Sequence, residues 1–346
     1  MNINGDLISV KQKPYVIAEL SANHNGSLDR AKKTIKAAFD SGASAIKIQS
    51  YTPDTMTLNS NKGDFLIKTG PWAGYKLYDL YKEAHTPFEW HAELFLYAKE
   101  LGITIFSSPF DESAVDLLED LDTPAYKIAS FEICDLHLIK YIAATQKPIL
   151  MSTGMASLEE IDEAVEVAKN NGCKDILLFH CISSYPAPIK DSNLKNIKFL
   201  LDRYSFEIGL SDHSIGNLAS ISAVTLGACA IEKHFTISRN EKGPDSAFSA
   251  EPNEFKKLVE SVNQTFEALG NNQFERANVE EANALFRRSL YFAKDLKKGQ
   301  KIKLSDIRRI RPGYGLKPKY LDIIIGKTLA TDIEIGDRVS WEKFIN

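Results

Sequence analysis

Cysteine is scarce in this 346-residue chain, and its four copies show no CxxC spacing. Cys134, Cys173, Cys181 and Cys229 therefore offer neither a disulfide framework nor a thiolate metal cluster, and they fit reduced thiols in a cytoplasmic protein. There is no long basic run, and the formal net charge is −4, which argues against a nucleic-acid partner. The longest apolar stretch, from about Ile221 to Ile231, is broken by Ser222 and Thr225 and is too short to span a bilayer, so no membrane partner is expected. The first ten residues, MNINGDLISV, are polar and lack a signal-peptide pattern. Also missing is a glycine-rich phosphate turn after the first strand candidate, where SANHNGS stands instead. That absence disfavours a doubly wound open sheet, the runner-up architecture.

What remains is an ordinary globular composition, 44% apolar and 25% charged, in a chain long enough for one large domain and a small one. Eight β-like runs alternate with helix-like ones: YVIAEL (15–20), SAIKIQS (44–50), ITIFSS (103–108), AYKIAS (125–130), KPILMS (147–152), DILLFHC (175–181), FEIGLS (206–211) and ACAIEKHF (228–235). Several are apolar at consecutive positions, as strands covered on both faces must be. Between them, SLDRAKKTIKAAFDSG places Leu28, Ala31, Ile35, Ala38 and Phe39 on one helical stripe, and SLEEIDEAVEVAKNNG opens on a capping-box pattern of Ser157 and Glu160. Eight β/α units in about 250 residues predict an α/β fold of the (β/α)8 TIM-barrel type. The barrel is expected over 1–270. A polar linker (271–287) and a compact β-rich tail (288–346), punctuated by Gly299, Gly313, Gly315, Gly326 and Gly336, are expected to follow.

In such a barrel the chemistry sits at the C-terminal ends of the strands. Those ends carry Glu19, Asn23 and His24; Lys47 and Gln49; Ser107 and Ser108; Lys127, Ser130 and Glu132; Ser152 and Thr153; His180, Ser183 and Tyr185; Ser211, Asp212 and His213; and Glu232, Lys233 and His234, with Asp245 in the next loop. Burying so many polar groups is costly unless a ligand or water meets them. Lysines and serines together suit a phosphate or carboxylate. His213 and His234 end neighbouring strands, so they either hold a divalent metal or act singly through hydrogen bonds. Glu19, Glu132 and Asp245 are acid/base candidates, and Glu232 with Lys233 reads as a structural ion pair.

The stretches AELSANHNGS, AIKIQSY, FSSPFD, YKIASFE, PILMSTGM, HCISSYPAP, GLSDHS, IEKHFT and PDSAFS resemble the sialic acid synthase family, which condenses phosphoenolpyruvate into nine-carbon sugar acids. IRRIRPGYGL resembles that family's antifreeze-like (SAF) domain, a β-clip-like fold. Residues 70–91 and Ser183, where N-acetylneuraminate synthases usually carry asparagine, look like the pseudaminic acid synthase branch; legionaminic acid and N-acetylneuraminate synthases are the alternatives within the family. The resemblance implies that Lys47, Ser108, Lys127, Ser130, Ser152, Ser183 and Ser211 hold phosphoenolpyruvate. It implies that His213 and His234 bind Mn2+ (or Mg2+ or Co2+), that Gln49, Tyr185 and Asp245 meet a diacetamido amino-sugar, and that Glu132, assisted by Glu19, handles the water. Arg311 would reach a partner's barrel in a homodimer. Outside the family, a sugar-binding barrel without turnover, or an aldolase forming a Schiff base at Lys127, would use the same fold.

Overall fold

The computed structural model describes residues 1–70, 72–270 and 273–345. The chain divides into two compact units, Met1–Gly270 and Asn271–Asn346.

The first unit opens with a hairpin of β1 (Asn2–Ile3) and β2 (Asp6–Leu7). Eight parallel strands then close into a barrel: β3 (Tyr15–Glu19), β4 (Ala45–Ser50), β5 (Thr104–Pro109), β6 (Tyr126–Ile128), β7 (Ile149–Ser152), β8 (Ile176–Cys181), β9 (Glu207–Asp212) and β10 (Ala230–His234). β10 pairs with β3, with His234 opposite Glu19, and with β9, with Lys233 opposite Asp212. Each of the eight strand candidates overlaps one of these strands, with β5 and β9 running one residue past theirs. Helices alternate with them, and their ends were written in the sequence. Ser27 accepts from the Arg30 backbone to start Leu28–Asp40, and Ser157 and Glu160 form the reciprocal capping box of Leu158–Asn170. Phe39, expected on the buried stripe, is 40% exposed instead, because it sits in the helix's last turn, where the Lys36 ammonium lies 5.9 Å from its ring.

Residues along a strand point alternately to opposite faces, and the apolar core divides accordingly. Val16, Ala18, Ile46, Ile48, Ile128 and Met151 pack with the helices, whereas Tyr15, Ile17, Ala45, Phe106, Leu150, Leu177, Phe179 and Ala230 form a separate cluster inside the barrel. Ile3 and Ile8, at either side of the hairpin, belong to that inner cluster and close the N-terminal end. Two residues further along most strands the inner face turns polar: Ile17 gives way to Glu19, Ala45 to Lys47, Phe106 to Ser108, Leu150 to Ser152 and Ala230 to Glu232. The interior is thus an apolar plug beneath a polar layer.

The second unit pairs β11 (Ser289–Phe292) with β12 (Ile307–Ile310) in antiparallel fashion. Elsewhere, single bridges such as Leu296 to Ile333 and Lys301 to Thr328 take the place of the several short strands the glycine spacing suggested. Leu290, Phe292, Ile302, Leu329, Val339 and Phe344 are its core. Among the described residues no helix is long and apolar enough to cross a membrane.

Gly209 shows how tightly the plug is filled. A Cβ there would lie 2.5 Å from Phe179 Cε1 and 2.8 Å from the Ala230 carbonyl oxygen. Gly209→Ala should therefore destabilise the barrel by about 1–3 kcal/mol in urea unfolding, the usual cost of overpacking. An unchanged midpoint and slope would show slack around Phe179 that the packing does not predict.

Candidate active site

Glu19, Lys47, Ser108, Lys127, Ser152, Ser211 and Glu232 come from seven different strands and are all buried on the inner face. Lys47 Nζ lies 2.8 Å from Glu19 Oε2 and 3.4 Å from Glu232 Oε1, and it donates to Ser108 Oγ at 3.1 Å. Lys127 Nζ donates to Ser152 Oγ at 2.5 Å and to the Ile128 carbonyl at 3.2 Å, with Glu232 Oε2 at 4.0 Å. Ser211 Oγ donates to Glu232 Oε1 at 3.4 Å. Glu232 therefore ties β4, β6 and β9 to its own strand.

This overturns the expected Glu232–Lys233 pair. Consecutive strand residues face opposite ways, so Glu232 enters the barrel while Lys233 turns toward the helices and meets Asp212 Oδ2 at 2.9 Å. The same alternation sorts the other polar strand ends. Ser107 donates to the Ile48 carbonyl, Thr153 to the Phe179 carbonyl and Asn23 to the Phe235 carbonyl, and His180 bonds the Ser192 carbonyl at 2.7 Å. Each of these has a protein acceptor for its side chain.

Burial disfavours every charge in this layer, and neighbours decide the outcome. For Glu232, Lys127 and Lys47 outweigh burial and hold its carboxyl below the ordinary range. For Lys47, the Glu19 and Glu232 carboxylates outweigh burial and raise it. For Lys127, burial wins and lowers the ammonium, with Glu232 opposing. Burial likewise raises Glu19 against the pull of Lys47.

Beyond β6 the chain makes a short 3-10 turn, Ser130–Glu132. This is where the YKIASFE stretch leaves the sheet. Ser130 and Ser183 hydroxyls converge over Gly154, where any Cβ would collide with both. Gly154 was not picked out from sequence; only the close approach of the two serines reveals its part. Glu132 Oε2 is buried and has no protein partner. Burial pushes its carboxyl up to about 7, with Lys127 pulling the other way.

His213 and His234 stand with ring centroids 5.4 Å apart. His213 Nδ1 lies 2.9 Å from the Ile182 carbonyl, an acceptor, so that nitrogen carries a proton and Nε2 offers its lone pair in the neutral ring; burial lowers this imidazole, but the neighbouring Cys181 outweighs burial and raises it. His234 Nδ1 is buried and has no partner, and burial together with the positive field of its neighbours holds the ring well below its ordinary pKa, hence neutral. Two lone-paired imidazoles fit a divalent ion that takes its other donors from substrate or water. Among the described residues no third His, Cys, Asp or Glu joins them as a ligand set.

The Tyr185 ring packs against both imidazoles, at 4.3 Å from His213 and 5.8 Å from His234. Beside it opens a cavity of about 360 Å³. Its polar side carries Gln49, Glu132 and Asp245. Gln49 donates to Glu19 Oε1 and to Ser21 Oγ, both at 3.0 Å, and Asp245 accepts from Ser21 Oγ. Burial raises the Asp245 carboxyl against those hydrogen bonds. The other side is apolar: Met56, Ile67, Trp72, Leu77, Leu80 and Phe110. Trp72, Leu77 and Leu80 belong to the 70–91 segment, whose helix Leu77–Ala84 precedes the barrel helix Phe88–Leu101. Trp72 Nε1 donates to the Pro244 carbonyl at 3.0 Å, fastening this segment to the loop after β10. Trp72 and Ser21 went unnoticed in the sequence, although the spacing of Leu77, Leu80, Tyr81 and Ala84 marks an amphipathic helix. Arg311 belongs to the other unit, where it follows β12 and is exposed.

Comparison with known proteins places this geometry. The NeuB family profile matches residues 34–274, and the SAF domain profile matches residues 287–345. The chain is 46% identical to a pseudaminic acid synthase of Campylobacter jejuni, over 96% of this chain and 97% of that one. It is 39% identical to an N,N'-diacetyllegionaminic acid synthase of Campylobacter jejuni, over 91% and 96%. A crystal structure of an N-acetylneuraminic acid synthetase from Leptospira borgpetersenii superposes with a TM-score of 0.74 at 32% identity, covering 82% of this chain and 94% of that one. The chain belongs to the NeuB family of sialic-acid-type synthases and carries a C-terminal SAF domain.

Proposed function

We propose that the chain acts as a pseudaminic acid synthase, joining phosphoenolpyruvate, a diacetamido trideoxy hexose and water into a nine-carbon keto acid and free phosphate. The observations that carry this reading are a cavity lined by Gln49, Glu132, Tyr185, His234 and Asp245 together with apolar Trp72, Leu77 and Leu80, and, in the same barrel, a buried layer in which Lys47 and Lys127 meet serine hydroxyls.

Phosphoenolpyruvate would lie over the inner layer. Lys47 and Lys127 supply charge, and the hydroxyls of Ser108, Ser130, Ser152, Ser183 and Ser211 supply donors. These groups are fixed before the ligand arrives, so little reorganisation is needed. The sugar would stand beside Gln49, Tyr185 and Asp245, its methyl and acetamido groups against Trp72, Leu77 and Leu80. A divalent ion on His213 and His234, Mn2+ being our choice, would polarise the sugar's aldehyde as a Lewis acid. The C3 carbon of phosphoenolpyruvate bonds to the aldehyde carbon, leaving positive charge at C2. Water adds to C2 and Glu132 takes one of its protons, which ends on the former aldehyde oxygen as the new hydroxyl; the C2–O bond to phosphate then breaks, C2 becomes the ketone, and the remaining hydroxyl proton leaves with the phosphate. Glu19, anchored on Lys47, supports the developing cation.

The reading is tested by phosphate release. The diacetamido trideoxy hexose should exceed N-acetylmannosamine in kcat/KM by at least about 10-fold, and Trp72→Ala should narrow that gap while leaving the KM for phosphoenolpyruvate unchanged. Chelation should stop turnover, and Mn2+ should restore it. Equal use of N-acetylmannosamine would contradict the branch.

Glu132 makes a second prediction. A carboxyl raised to about 7 in the fold and near its ordinary 4.5 when unfolded imposes no penalty below 4.5. The penalty grows as pH rises between those values and is complete above about 7, where it reaches on the order of 3 kcal/mol. Glu132→Gln should thus be more stable than the parent at pH 8, by up to that amount, and not at pH 4. It should also lose most turnover while keeping phosphoenolpyruvate binding within a few-fold. Equal stability difference at both pH values would sink the assignment of a buried, titrating base.

We further propose a homodimer in which Arg311 completes the partner's site. Phe131, Met155, Ile215 and Leu218, which follow β6, β7 and β9 in the chain, are 58–64% exposed, an apolar rim that favours being covered. Mixing an Arg311→Ala chain with a His234→Ala chain, each inactive alone, should restore about a quarter of the activity through one sound site per mixed dimer. Heterodimers without recovered activity would place Arg311 elsewhere.

A further inference from the structure

Behind the two histidines lies a second buried ion pair that the proposed reaction does not use. Asp212 and Lys233 are 4% and 3% exposed and sit directly opposite each other on β9 and β10. Each immediately precedes one of the histidines in sequence. The pair points away from the barrel interior, and its polar contacts form a closed set. Asp212 Oδ1 accepts from the Ser214 backbone at 2.9 Å and from Ser214 Oγ at 2.6 Å. Asp212 Oδ2 accepts from Ser220 Oγ at 2.6 Å and from Lys233 Nζ at 2.9 Å. Lys233 Nζ donates again, to the Ser214 carbonyl at 2.7 Å.

The connectivity matters more than the number of bonds. Asp212 reaches over His213 to hold Ser214, so the backbone is anchored on both sides of that histidine. Lys233 holds the same Ser214 from the neighbouring strand, one residue before His234. Ser220, near the start of the helix Leu218–Thr225, fixes the carboxylate from outside. Any change in the separation of the β9 and β10 ends would break several of these buried bonds together, and each buried polar group left without a partner is costly.

We infer that the Asp212–Lys233 pair positions the two imidazoles, setting their separation for a divalent ion. This rests on the metal reading above. Asp212 and Lys233 are positioning residues: neither side chain touches either imidazole, and they act through the backbone of the adjacent positions. Partners that orient metal-binding histidines usually govern affinity by about 10- to 100-fold.

The test is a Mn2+ titration of the full chain, following free Mn2+ by its electron paramagnetic resonance signal. The variants are Asp212→Asn with Lys233→Met, which removes both charges at once and so leaves no unpaired buried ion, and Ser220→Ala, which removes one bond. The double variant should bind Mn2+ at least about 10-fold more weakly. Ser220→Ala should weaken binding in the same direction by a smaller factor. The phosphoenolpyruvate dissociation constant should stay within about two-fold in both, because Lys47 and Lys127 are untouched. A folded double variant with parental Mn2+ affinity overturns the inference, as does equal loss of Mn2+ and phosphoenolpyruvate binding, which would make the pair a general support of the barrel. If the double variant does not fold, unchanged Mn2+ affinity in Ser220→Ala overturns it. A parent chain that takes up no Mn2+ fails in the first arm and overturns the metal reading together with this one.

Discussion

Two lysine ammonium groups stand inside a barrel whose lower half is dry hydrocarbon, and the rest of the site is arranged around that constraint. An isolated buried charge costs several kcal/mol even after the protein relaxes. Lys47 and Lys127 are tolerated because Glu19 and Glu232 stand beside them on neighbouring strands. The cluster is balanced in charge, yet its serine hydroxyls and ammonium groups crowd the open end of the layer. An arriving anion would find donors already oriented. The cluster itself contributes little net stability, so the apolar plug beneath it, from Ile3 and Ile8 up through Phe106 and Phe179, must carry the fold.

The period-two alternation of a strand turns one short motif into two separate devices. In GLSDHS, Ser211 faces the barrel interior and Asp212 faces the helices. In IEKHF, Glu232 faces inward and Lys233 outward. The inner pair meets at 3.4 Å and the outer pair at 2.9 Å. A register slip of one residue would exchange them, turning the Asp212–Lys233 pair into the barrel and burying Glu232 among aliphatic side chains. The parallel register of β9 with β10 is therefore specified twice, once from each face.

Much of this was legible in the sequence because barrels announce themselves locally. The strand runs were apolar at consecutive positions, and their last residues changed character at steps of two. Helix starts were equally plain at Ser27 and Ser157, where the capping side chains bond within one turn. What stayed hidden depends on partners far apart in the chain. Glu232 looked like the partner of adjacent Lys233, but its real partners are on β4 and β6. Gly154 carries no signal of its own in the sequence; it is needed because Ser130 and Ser183 meet above it. Trp72 likewise carries no local signal; its place in the cavity wall and its bond to the Pro244 carbonyl depend on a residue 172 positions away. The tail was harder still, since its unit is held by isolated bridges that leave no strand-length pattern.

Three carboxylates near the cavity are raised by the same cause, burial, so their titration alone does not separate their roles. Their partners do. Glu19 has one oxygen on Lys47 and accepts from Gln49 with the other. Asp245 has Oδ2 on the Ser21 hydroxyl and the Ala22 backbone. Both are already engaged, and a proton taken by either would disturb contacts that hold the site together. Glu132 differs, because among the described residues its Oε2 has neither a hydrogen-bond partner nor an ion pair, and it closes the Ser130–Glu132 turn after β6. A free, buried lone pair beside the lysine–serine layer is what a water-activating base requires. The role proposed for Glu132 therefore rests on an unused acceptor beside the serine turn, and its raised pKa follows from its burial.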